Sequence, residues 1–288
     1  MSKLNLAPRR SPPGSRCLVW LALLLSLLSG APASAQAREG VAVGANSAFS
    51  RLVPADRVER AAGQQYSELL QQAAAKNALA DPDQPQLRRL RAIAQRIIPF
   101  ALAWNPRARD WRWEINLIDS RQINAFCMPG GKIVFYSGIL AQLKLSDDEV
   151  AMVMGHEIAH ALREHARERM GKNAATGIGA SLLSQLLGLG DIGQTLTHYG
   201  AQLLTLQFSR SDESEADLVG MELAARAGYD PRSGVTLWKK MANANRGAPP
   251  QWLSTHPSGP TRIADIEANL AQVLPLYQRA RESQRSQR

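Results

Sequence analysis

The sequence predicts an α+β fold, mainly helical, with a small β-sheet or hairpin and with its chemistry carried on two helices. Three observations predict it. Helix-forming segments with recognisable caps recur along most of the chain. Two short apolar runs flank Pro129-Gly130-Gly131 and read as a hairpin. His156-Glu157-Ile158-Ala159-His160 falls inside one helical run, and Glu213-Ser214-Glu215-Ala216-Asp217 lies near the start of another.

The first 35 residues read as a secretory signal peptide. Lys3, Arg9, Arg10 and Arg16 form a basic start without acidic residues, Leu18 to Leu28 is apolar, and Ala33-Ser34-Ala35 supplies small residues for cleavage. The apolar run is too short to span a bilayer comfortably. The 288 residues carry 34 basic and 25 acidic side chains; without those four, 30 face 25, about +5 in place of +9. The basic residues are scattered and not interleaved with aromatics, which argues against nucleic-acid binding. Cys17 lies in the signal, so Cys127 alone remains and no internal disulfide is expected. No cysteine follows the apolar run, so no lipid anchor is expected either.

Residues 36–80 divide into a flexible leader and a helix over 56–79. The main domain is expected over 81–278. Asp81-Pro82-Asp83 precedes a helix from Pro85 to Ile98, Trp111 to Asp119 alternates as a strand, and the hairpin follows, with Cys127 packed inside it. Ser146 with Glu149 makes a capping box, and Asp147 and Asp148 favour the positive helix end. That helix is expected to run through His160 to about Met170, with Arg163 to Arg169 as a solvated face. His165 falls about 140° around from His160 and is not expected at the same site. The glycine-rich stretch 171–193 lacks the ending of a phosphate loop and reads as a connection, a lid or a contact patch. His198 reads as a packing or surface residue. Ser211 caps a helix that stops at Gly228, Asp230-Pro231 opens one carrying Trp238, and a last helix ends near Val273. Residues 279–288 are expected to be disordered.

On a helix, residues four apart differ by about 40° in direction, so His156 and His160 aim at one point. Two neutral imidazoles there suit Zn²⁺, and Glu157 beside them can take a proton from metal-activated water. A catalytic zinc needs three protein ligands and an open position. The metzincin arrangement would put glycine at 163 and histidine at 166, where this chain has Arg163 and Ala166. Glu213 on the second helix offers the third ligand. Asp217, one turn on, offers an acceptor for the far nitrogen of a zinc histidine, while Glu215 points elsewhere.

At these residues the chain resembles metallopeptidase family forty-eight, the group of HtpX-like membrane proteases, CAAX prenyl endopeptidases and exported periplasmic relatives. The matching text is Asn124-Ala125-Phe126 with Pro129-Gly130-Gly131, His156-Glu157-x-x-His160, Ser209-Arg210-Ser211, Glu213-x-x-Ala216-Asp217, and His256-Pro257 with Arg262. The resemblance implies a mostly helical gluzincin fold, one Zn²⁺ per chain on His156, His160 and Glu213, and substrate along the strand at Asn124, Ala125 and Phe126. It is closest to the exported branch. The expected function is a zinc endopeptidase acting on unfolded or misassembled envelope proteins in the periplasm. A peripheral contact with membrane or outer-membrane assembly machinery is left open, and no small-molecule cofactor is expected. The alternatives are a chaperone-like binding protein with a silenced site and a zinc amidase acting on cell wall. Pro257 fixes His256 in an extended loop. There His256 serves either as an oxyanion donor or as a fourth zinc ligand that keeps the enzyme latent, with the latch slightly favoured.

Overall fold

A computed structural model of the chain describes residues 38–176, 203, 207–244, 250–257 and 261–286. The signal segment, most of the glycine-rich stretch, His198 and the loop 247–249 lie outside these residues. All elements below belong to the compact unit 40–288. The described chain is mainly helical around one three-stranded sheet, as expected.

Helix α1 (Ala55–Ala75) and helix α2 (Pro85–Ile97) precede the sheet; Gln84 caps α2 through its side chain and Pro85 opens it, pre-set for a helical start. Strands β1 (Glu114–Ile118), β2 (Ala125–Met128) and β3 (Lys132–Tyr136) lie in the order β1-β3-β2. β3 pairs parallel with β1 and antiparallel with β2, with Ala125 opposite Phe135 and Phe126 opposite Val134. The hairpin turn needs left-handed backbone at Gly130 and Gly131 (φ +84° and +77°), which glycine adopts without a Cβ penalty. β2 is left at the sheet edge, and that edge faces the chemistry described below.

After the short helix α3 (Ser137–Leu143), helix α4 (Asp147–Leu162) begins at the expected box: Ser146 Oγ accepts from Glu149 N (3.3 Å) and Glu149 Oε2 accepts from Ser146 N (2.8 Å). Every residue from Glu149 to Leu162 is buried, so α4 is the central rod of the core. Helix α6 (Arg210–Arg226) crosses it at a pair of glycines. A Cβ on Gly155 would stand 2.6 Å from the Gly220 carbonyl oxygen, and one on Gly220 would stand 2.5 Å from the His156 amide nitrogen. The two backbones therefore touch beside the first histidine. Helices α7 (Ser233–Ala244), α8 (Gln251–Thr255) and α9 (Thr261–Ser286) complete the order.

Five expectations need correction. The helix from Ser146 does not reach Met170: Glu164 turns left-handed (φ +59°) and a separate helix α5 (His165–Ala175) starts there. Asn105 Nδ2 donates to the Leu162 carbonyl (3.0 Å), satisfying one of the acceptors that the break leaves over. The segment Arg163–Arg169 is not simply solvated, since Arg163 and His165 are buried. The cap of α6 is Ser209, paired with Asp212 in a second capping box, and not Ser211. From Gly40 the leader is a strap across the helices: Val41 N donates to the buried Glu222 (2.9 Å), and Arg167 donates to the Val53 carbonyl (2.7 Å). The end of the chain is helical to Ser286 and not disordered from 279, because Val273 and Leu276 are buried and Gln284 Nε2 donates to the Ala227 carbonyl (3.2 Å).

The glycine contact is testable. Gly220→Ala should lower stability by about 1–3 kcal/mol or more, as expected for overpacking. Gly63→Ala, on an α1 face with nothing within 4 Å, should be neutral or stabilise by about 0.5–1 kcal/mol. Urea unfolding midpoints check both; equal midpoints for the two variants would contradict the contact.

Candidate metal centre

α4 carries His156, Glu157 and His160, and the first two turns of the capped helix α6 carry Glu213 and Asp217. α8 docks beside the sheet through Trp252 N, which donates to the Ile123 carbonyl (3.1 Å), and this brings His256 to the same point. His156, His160, Glu213 and His256 are all buried, and one ligand atom from each lies within 4.8 Å of the other three. His156 Nε2 is 3.1 Å from His160 Nε2, 3.5 Å from Glu213 Oε2 and 3.3 Å from His256 Nδ1; Glu213 Oε1 is 3.3 Å from His160 Nε2 and 3.0 Å from His256 Nδ1. A tetrahedral ion with bonds of about 2.0–2.1 Å spaces its ligand atoms about 3.4 Å apart. The donor set and its spacing fit a metal ion of zinc type.

The charges point the same way. Glu157, Glu213 and Asp217 are buried, and the buried Arg262 pairs with the last two. Burial opposes the charge on Glu213, but His256 and His160 beside it hold its carboxyl below the usual carboxylate range. Burial likewise opposes the charge on Asp217, and Arg262 and His156 overcome it. Burial pushes His160 well below the ordinary imidazole value, which keeps it neutral, as a ligand must be. His256 shows the demand for positive charge at this spot: burial disfavours its proton, yet Glu157 and Glu213 hold its pKa above the ordinary value. A divalent cation answers the same demand.

Around the four ligand atoms sits a ring of fixed partners. His156 Nδ1 faces Asp217 Oδ1 (3.0 Å), which sets the tautomer that leaves Nε2 free to ligate. Arg262 grips Asp217 with Nε (2.6 Å) and Nη2 (2.7 Å), reaches Glu213 with Nη1, and stacks over Trp238 (3.8 Å). Trp252 Nε1 donates to Glu157 Oε1 (2.6 Å), and His256 Nε2 lies 3.5 Å from the same oxygen. Phe208 stacks on His160 at 4.0 Å, and Trp252 stacks on His256 at 4.9 Å. A cleft lined by Asn124, Ala125, Phe126, Glu157, His160 and His256 runs from β2 to this cluster.

The sequence profile of peptidase family M48 matches residues 85–270. The chain belongs to this family. It is 43% identical over 150 residues to the mitochondrial metalloendopeptidase OMA1 of Arabidopsis thaliana, covering 52% of this chain and 30% of that one. The Schizosaccharomyces pombe OMA1 is 37% identical over 161 residues (55% and 47%), and the beta-barrel assembly-enhancing protease of Yersinia pestis is 30% identical over 171 residues (55% and 35%). The chain thus spans less than half the length of each of these relatives. Family membership and these relatives support a metalloendopeptidase.

The structure brings together every site residue read from the sequence. Three further participants carried no assigned role there. Arg262 was part of the resemblance, but nothing in its spacing shows that it grips two carboxylates. Trp252 gives no signal in sequence, since a buried indole is usually packing. His165 was set aside on the angle of an unbroken helix, and the turn at Glu164 removes that objection. Cys127 lines the cleft, where burial and the charge of Glu157 push its thiol well above the usual value, and its sulfur is not among the ligand atoms that converge.

Removing Arg262 leaves two buried carboxylates without their cation. Arg262→Met should cost about 3–5 kcal/mol of stability in the metal-free protein, as for one partner of a buried pair. Chemical unfolding in the presence of a chelator measures it, and a cost near zero would mean that Arg262 is not the counter-ion.

Proposed function

We propose that the chain is a zinc-dependent endopeptidase that cleaves unfolded or misassembled proteins of the cell envelope. The observation that carries this reading is the convergence of His156, His160 and Glu213 at tetrahedral spacing beside an oriented Glu157, at the mouth of a cleft along β2. When bound, zinc supplies Lewis acidity, activating water near neutral pH and polarising a peptide carbonyl. Glu157 takes the proton from the attacking water and delivers it to the leaving amine. The indole N–H of Trp252 holds the Glu157 carboxylate in one orientation while it does so. Asp217 fixes the tautomer of His156, and Arg262 fixes Asp217. An extended substrate segment adds to the open edge of β2 at Asn124, Ala125 and Phe126, with backbone hydrogen bonds that tolerate many sequences but require an unfolded strand.

His256 is assigned the role of a latch. Its Nδ1 stands at ligand spacing from Glu213 and His156, and its Nε2 lies against Glu157, so it fills the position that water and substrate need. The envelope setting is supported by the basic start, apolar run and small-residue cleavage site of residues 1–35, and by the printed name of the Yersinia pestis relative. Among the described residues no helix is long and apolar enough to cross a membrane. The OMA1 relatives are named as mitochondrial and lend the periplasmic assignment no support, so it rests mainly on the leader.

Two variants test the chemistry. Glu157→Gln should bind zinc and fold like wild type while losing proteolysis of unfolded casein by about 10²-fold or more. His256→Ala should raise basal proteolysis without loss of zinc. Near-wild-type casein turnover in Glu157→Gln would remove the assigned base, and lower activity in His256→Ala would make that residue an oxyanion donor instead. Cleavage of peptidoglycan fragments in preference to casein would turn the assignment to an amidase.

A further inference from the structure

The buried cluster on the far side of His160 is not used by the reaction described above. His165 Nδ1 lies 2.9 Å from His160 Nδ1, and His165 Nε2 lies 3.4 Å from Glu215 Oε2. Glu215 Oε1 accepts from Arg163 Nε, and Arg163 Nη2 donates to the carbonyl of Gly44 on the strap. His165 is buried to the same degree as the ligands, and Arg163 nearly so. Rotamers of long polar side chains are not buried in this way without cost, since each desolvated group must find a partner. Here every member finds one.

Only one arrangement of protons satisfies the row if His160 ligates through Nε2. His160 carries its proton on Nδ1 and donates it to the lone pair of His165 Nδ1. His165 then carries its own proton on Nε2 and donates it to Glu215, whose other oxygen accepts from Arg163. The left-handed residue Glu164 makes this possible, because it turns the chain back so that His165 stands beside the residue five positions earlier.

We propose that His165, oriented by Glu215 and Arg163, is a positioning residue that sets the tautomer and ring angle of His160, as Asp217 does for His156. The two metal histidines are then held by two separate arms. One arm runs through Asp217 to Arg262 on α9, and the other runs through His165 and Glu215 to Arg163 and the strap at Gly44. The glutamates of α6 divide the work: Glu213 faces the ion and Glu215, two residues on, faces the arm. This proposal rests on the reading of His160 as a metal ligand.

The test uses the full chain and zinc, with His160→Ala, His165→Ala, His165→Asn and Glu215→Gln compared with wild type. Competition with a chromogenic chelator gives zinc affinity, casein cleavage gives kcat and KM, and the visible spectrum of the cobalt-substituted protein reports ligand geometry. His165→Ala should weaken zinc binding by about 10- to 100-fold, lower kcat with little change in KM, and shift the cobalt spectrum. His165→Asn should recover most of the affinity, because its side-chain carbonyl can accept the His160 Nδ1 proton. Should His165→Ala fail to fold, Glu215→Gln carries the test with a smaller loss of affinity in the same direction. Wild-type zinc affinity and an unchanged cobalt spectrum in the folded variants would overturn the proposal. Loss of zinc in His160→Ala alone would then leave the ligand reading standing, whereas full zinc in His160→Ala would overturn that reading itself.

Discussion

Backbone contact between α4 and α6 at Gly155 and Gly220 is the constraint on which the rest depends. Side chains on α4 can reach a ligand on α6 only if the helix axes come close, and here no side chain separates them. The contact lies beside His156, so the three residues of α4 that carry the chemistry and the first two turns of α6 share one narrow space. Both helices begin at capping boxes, which fix where each first turn starts and hence which face Glu213 and Asp217 present. Close approach, caps and ligand spacing are one design seen at three scales.

That closeness creates an electrostatic problem which the remaining elements solve. Three carboxylates and three imidazoles removed from water would destabilise the fold unless each had a fixed partner. Arg262 answers two of the carboxylates from α9, Trp252 answers Glu157 from α8, and the four converging ligand atoms offer a place for a metal cation. α8 and α9 thus have a purpose beyond covering the core. They bring a donor and a cation to a cluster that the α4–α6 pair could not stabilise alone. The strap at 40–53 does the same for the opposite side through Arg163 and Arg167.

Much of this was legible in the residues, and what was not has a physical cause. Spacing of four on a helix made His156 and His160 a pair, and Ser146 with Glu149 marked the helix start, because both follow from local geometry. Glu213 and Asp217 were legible for the same reason, given that a third ligand was needed. The fate of residue 164 was not: a left-handed glutamate carries no sequence mark, and an unbroken helix is what the charged run Arg163–Arg169 suggests. That single dihedral decided the place of His165. The helical tail to Ser286 was hidden similarly, since the polar run after Arg279 reads as disorder unless Val273, Leu276 and Gln284 are known to dock. Long-range partners such as Trp252 with Glu157, 95 positions apart, have no local signature at all.

X-ray absorption at the zinc edge of the purified protein tests the central claim most directly, because it reads the ligand atoms themselves. The account predicts one zinc per chain with a shell of nitrogen and oxygen only at about 2.0–2.1 Å, and imidazole scattering that falls by one ring in His256→Ala. A sulfur neighbour at about 2.3 Å, which only a cysteine such as Cys127 or a methionine could supply, or protein that retains no zinc, would contradict it.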